Sequence, residues 1–140
     1  MQNRAIVMAT TALLLTTAPA VSNAQQDWNG NEAQGLGHPH PSTANVSLSD
    51  NWKAYRFDRD GIRYYQVNDR NDNVHVVVGK VDEIMWALPA GKPSARTSLP
   101  SWRLKISEEA VPTLVYSDEE ISLIHYQDGS NTVWSVEEVP

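Results

Sequence analysis

Asp69, Asn71 and Asn73, in the stretch "VNDRNDNVHVVVG" (67–79), place oxygen-bearing side chains at alternate positions. A calcium loop draws its first three ligands from that spacing. The same numbering puts Val74 at the sixth position, where such a loop needs glycine, and Lys80 at the twelfth, where it needs a two-oxygen glutamate. A cation at the twelfth position opposes the chemistry, so the stretch reads as a polar turn feeding a valine strand, Asn and Asp being ordinary turn formers. An irregular site from Asp58, Asp60, Asp69 and Asp72 requires that two separate turns converge.

A second metal reading rests on His38 and His40 in "GHPHP". Imidazoles bind copper, nickel or zinc, but the flanking prolines hold the pair extended and no further ligand is near in sequence. His75 and His125 stand alone on strand-like segments. Hydrolytic signatures are missing: there is no serine on a glycine elbow, no His-Glu zinc helix and no cysteine. Glu108, Glu109, Glu119 and Glu120 include enough carboxylates for a general acid and base, yet acidic runs in turns are usually solvated. "GLG" (35–37) has no strand before it and makes no phosphate loop. A non-enzymatic chain without a cofactor is the expectation.

These residues must be positioned by a small body. The opening "MQNRAIVMATTALLLTTAPAVSNA" has one basic residue, Arg4, an apolar run and small residues at Ser22 and Ala24, as a secretory signal peptide over residues 1–24 does. Cleavage after Ala24 leaves 116 of the 140 residues and takes the net charge from −6 to −7, since Arg4 departs with no acid. A periplasmic or secreted protein is expected, held by its apolar core alone because cysteine is absent. No later segment is a membrane candidate. The negative charge argues against nucleic acid. Its distribution is uneven: after Lys105 come Glu108, Glu109, Asp118, Glu119, Glu120, Asp128, Glu137 and Glu138 with no Lys or Arg. Such a surface suits a cationic partner.

Residues 25–47, rich in Gly, Pro and His, read as a flexible leader, and residues 48–140 as a single β-rich domain. Strands are predicted at 53–57, 62–68, 74–81, 84–88, 102–106, 113–116, 121–126 and 132–136, each from period-two alternation or β-branched content between turn residues. Gly61 suits a hairpin. The three prolines of residues 89–101 predict a long loop. At 118–127 a short helix competes, because Ser117 and Glu120 have capping-box spacing; the strand is preferred. The fold class is therefore mainly β, a small antiparallel meander forming a sandwich or half-barrel.

An aromatic strand, a "DG" turn, "YYQVND", "NV" opening a strand and a closing "LPAG" follow one another over residues 57–92. This order resembles a segment of small exported proteins of unknown function from gammaproteobacteria. The resemblance implies export and a compact β module, and it supplies no active-site residue. The function expected is binding of a protein or envelope component. The partner-facing candidates are Glu108, Glu109, Asp118, Glu119 and Glu120, and in the sharpest version the acidic surface occludes a basic enzyme, as an inhibitor or immunity protein does. A metal-binding role through His38, His40, Asp69 or Asp72 is the alternative, and self-pairing into a homodimer is a further option.

Overall fold

The computed structural model describes residues 35–92 and 95–140. The expected signal peptide, and the expected leader up to residue 34, lie outside the described residues.

Among the described residues eight strands form two four-stranded sheets. The first is an antiparallel meander of β1 (Trp52–Arg59), β2 (Ile62–Asp69), β3 (Val74–Val81) and β4 (Ile84–Ala87). The second contains β5 (Arg96–Ser98), β6 (Val111–Ser117), β7 (Ile121–Asp128) and β8 (Asn131–Glu138) in the order β5-β8-β7-β6. Among the described residues there is no helix, and the sheets pack face to face as a sandwich. Residues 118–127 are the β6–β7 turn followed by β7. The Asp118 carboxylate accepts the Glu120 and Ile121 backbone N–H groups, so it closes a turn where a capping box would have opened a helix.

Period-two alternation fills the space between the sheets. Tyr65 and Val67 of β2 and Val76 and Val78 of β3 face Ile121 and Leu123 of β7 and Trp134 and Val136 of β8. Two large ring pairs bridge the sheets: Tyr65 meets Tyr116 at 5.5 Å between centroids, and Trp52 meets Trp134 at 4.8 Å. Such aromatic burial gives a small domain without cysteine the apolar contact area that holds its sheets together.

The hairpin turns follow local chemistry. Asp60 and Gly61, with φ of 52° and 77°, connect β1 to β2, because two left-handed residues match the strand twist. In the β3–β4 hairpin Trp86 pairs with Gly79. A Cβ at Gly79 would sit 2.5 Å from the Trp86 ring, so the missing side chain is what lets the indole lie across β3.

Two elements differ from expectation. Residues 102–106 form no strand: Trp102 is 72% exposed, and Leu99 and Trp102 exchange two backbone hydrogen bonds around Pro100–Ser101, which reverses the chain. The edge of β8 is instead taken by β5, three residues inside the expected loop, running parallel to β8. The meander is thus interrupted once. The Arg103 guanidinium still reaches the end of β8, donating to Val136 O at 3.2 Å and pairing with Glu137 at 3.0 Å.

The described half of the expected flexible leader is held against the domain. Gln66, fully buried on the outer face of β2, accepts from Gly37 N at 2.6 Å and donates to His38 O at 2.8 Å, while Asn68 donates to Pro39 O at 3.0 Å. Buried amides need partners, and the backbone of residues 37–39 supplies them. Further along, Val46 N bonds Ala54 O, and Leu48 N bonds Val115 O in the other sheet.

Candidate functional site

Strand register sorts the chemistry to opposite ends of the sandwich. Arg59 pairs with Ile62, Val81 with Ile84, Ser117 with Ser122 and Ile121 with Glu138, so these ends lie together. At this end Asp82, Glu83, Glu119 and Glu138 border one open depression of about 600 Å³, in which Lys80 is the cation. Glu120 is ion-paired with Lys80 and Arg63, each at 3.3 Å. It therefore joins the two sheets rather than presenting free charge. Among the described residues, Asp82, Glu83, Glu119 and Glu138 carry no ion pair.

The other expected acidic residues fall elsewhere. Asp118 is structural: its Oδ2 accepts the Tyr116 hydroxyl at 2.8 Å and the Tyr65 hydroxyl at 3.2 Å, one from each sheet. Burial alone would raise its pKa, but the Ile121 and Glu120 backbone donors and the two hydroxyls outweigh burial and lower it. Burial, reinforced by Asp118, pushes Tyr116 up to about 12. Glu108 and Glu109 are exposed just before β6, whose first residue pairs with Gln127. They are separated from Glu119 by the length of β6, roughly 20 Å.

At the second end, Asp69 organises the β2–β3 turn. Its Oδ1 accepts the backbone N–H groups of Asn71 and Asn73 at 2.9 and 3.0 Å, and its Oδ2 the Asn73 amide at 3.0 Å. Oδ2 also meets His75 Nε2 at 2.9 Å, and since an ionised carboxylate only accepts, that nitrogen carries the proton. Burial opposes ionisation of Asp69, but the Asn73 and His75 bonds prevail and hold it well below the usual carboxylate range. Its oxygens are committed inside the protein. Asp72 pairs with Lys53, and with His40 at 3.5 Å. Asp58 and Asp60 lie at the far end of β2, so the two turns do not converge. His38 contributes its carbonyl to Gln66. Among the described residues no three His, Asp or Glu side chains assemble as metal ligands.

The residues that sequence reasoning left isolated do come together. Trp52 contacts His75 at 4.9 Å and His125 at 4.7 Å between ring centroids, and His125 contacts Trp134 at 4.7 Å. His125 follows Ile121 and Leu123 on the inward face of β7. His75 arrives differently. Val67 pairs with Val76 and Asn68 with Val74, so His75 is the extra residue of a β-bulge, which re-aims its ring inward against the alternation. The two imidazoles, from opposite sheets, line a cavity of about 320 Å³ with Trp52, Lys92, Gln127 and Thr132. Burial, and then the neighbouring His75, lower the His125 pKa. The direct signal in the sequence for this cluster was the inward parity of His125.

Comparison with protein-family models, curated proteins and solved structures gives no match for the chain.

Proposed function

We propose that this chain is an exported, non-catalytic binding domain, periplasmic or secreted, whose acidic end engages a cationic protein or envelope component. One observation carries the reading: Asp82, Glu83, Glu119 and Glu138 reach a single depression from turns and strand ends of both sheets, without ion pairs among the described residues. Like charges gathered on a rigid frame repel one another, and a cationic partner relieves that repulsion while being steered toward it. The sheets fix the spacing of these carboxylates, which favours a folded partner with a matching basic patch over a single ion. The inhibitor-like version follows, in which the depression covers a basic cleft.

The test uses a cationic cell-wall lytic enzyme as probe, with binding and inhibition measured at low and at several-fold higher salt. The expected result is binding that weakens steeply with salt and is lost by at least about a hundredfold when Glu83, Glu119 and Glu138 are all changed to Lys, roughly 1 kcal/mol for each rim charge. Binding that is unaffected by salt and by the triple substitution, or no binding of the cationic probe, counts against the proposal.

A further inference from the structure

The cavity between His75 and His125 does not stand alone. A second cavity of about 320 Å³ adjoins it and shares His75, Lys92 and Ala95, but its remaining walls are mostly apolar, Val76, Ala87, Leu88 and Pro89, with Gly91 and the neutral Thr97 completing them. The segment after β4 makes that wall by continuing along β3, with Leu88 N bonded to Val77 O at 2.8 Å and Lys92 N to His75 O at 3.2 Å. Gly91 permits the approach, since a Cβ there would lie 2.5 Å from His75 O.

We propose that the two chambers form one binding site for a small organic monoanion, a carboxylate on a short apolar body. The polar chamber sets the sign of the charge. Among the described residues no Asp or Glu lines either chamber, although the chain as a whole is acidic with a net charge of −6. Lys92, which lines both chambers, supplies the lysine cation. Gln127, Ser130 and Thr132 add neutral hydrogen-bonding groups around it. Asp69 faces His75 from the turn side with its oxygens occupied by Asn71, Asn73 and His75. A carboxylate held by Lys92 would lay its apolar body against Val76, Ala87, Leu88 and Pro89, with the Trp52 ring closing the polar side. The volumes match the lower range of small-molecule sites, so the ligand is a compact molecule rather than a polymer. This site is at the opposite end of the sandwich from the acidic depression, and its failure leaves the reading of that depression untouched.

The experiment titrates the folded chain with hexanoate, hexanamide and hexylamine by calorimetry, while the His75 and His125 ring signals are followed by NMR. Hexanoate is expected to bind, to shift both ring signals, and to exceed the amide and the amine by at least about tenfold, the worth of a charge-assisted hydrogen bond. Lys92→Met should reduce hexanoate binding by a similar factor while the thermal midpoint holds, because Lys92 is exposed. Leu88→Trp, which fills the apolar chamber, should reduce it again. Equal binding of the amine or amide, hexanoate binding that is indifferent to Lys92→Met, or no binding at millimolar hexanoate overturns the proposal.

Discussion

Replacing His125 by Phe should flatten the dependence of folding stability on pH between neutral and mildly acidic conditions. His125 is 5% exposed and its ring lies 4.7 Å from both Trp52 and Trp134. Burial, then the charge of His75, disfavour its protonated form, so its folded pKa is below its ordinary one. The sign follows from proton counting. As pH falls through about 6.5 the unfolded chain takes up the proton and the folded chain does not, so stability is full above that value and declines below it. The decline continues until the folded-state pKa is reached. One proton fixes the steepest slope at about 1.4 kcal/mol per pH unit. With a urea m-value of about 1–3 kcal/mol/M for a small protein, the midpoint falls by at most roughly 0.5–1.4 M per unit.

Phe retains the ring volume between the two tryptophans and removes the titration. Urea unfolding of both proteins at several pH values from about 7.5 to 5 measures the difference. His38 and His40 are present in both proteins, and the His75–His125 repulsion is removed together with the buried ring, so a change of slope reports the loss of His125 and of that repulsion. Asp69 and Asp118, whose pKa values are lowered, lose their contribution only below about pH 4, outside this window. A variant with the wild-type slope would falsify the burial argument.

Gly79→Ala should cost about 1–3 kcal/mol by forcing the Trp86 ring off β3, partly offset by the entropy that a strand glycine loses. In a Trp86→Ala background the same change should be neutral or stabilising, and an equal loss in both backgrounds would show that the ring is not the obstacle. Asp118→Ala removes the acceptor of two hydroxyls at the sheet junction and should cost about 2–4 kcal/mol, with Asp118→Asn milder, both read by urea midpoints. Because the Asp118 pKa is lowered, its contribution is present above the unfolded value of about 3.9 and lost as pH falls below it. Wild type should therefore lose stability more steeply than Asp118→Asn below pH 4, and parallel acid profiles would argue against the clamp.

The strands legible in sequence were those whose pairing partners are adjacent in the chain. "VHVVVGKV" is β3 end to end because Val76 and Val78 face the core and a hairpin follows on either side. Residues 102–106 alternate as sharply, yet alternation reports amphipathy and not the presence of a free edge. Pro100–Ser101 turn the chain, and the β8 edge is filled from Arg96–Ser98, where three residues offered no period to read. A parallel pair joined by a long connection is the arrangement that local pattern describes least. At the acidic end the sequence pointed to Glu119 but could not separate it from Asp118 and Glu120. That separation depends on Tyr116 beside the turn and on Tyr65, Arg63 and Lys80 from the other sheet.

The cleft escaped the sequence for a more specific reason, and the same reason reinterprets the apparent calcium loop. Strict alternation along β3 would send His75 to the outer face with Val77, away from Val76. The bulge at Val67–Asn68 cancels that parity, and it is built by the turn that Asp69 holds through Asn71 and Asn73. The same carboxylate then bonds the His75 ring that the bulge has turned inward. One acidic side chain thus shapes the turn, shifts the register and fixes the tautomer of a cleft histidine. The alternating oxygens at 69, 71 and 73 are therefore a clue to histidine placement rather than to an ion. A residue that is bonded to its neighbours on both oxygens has little left to offer calcium, and its chemical consequence is felt one strand away, between the sheets.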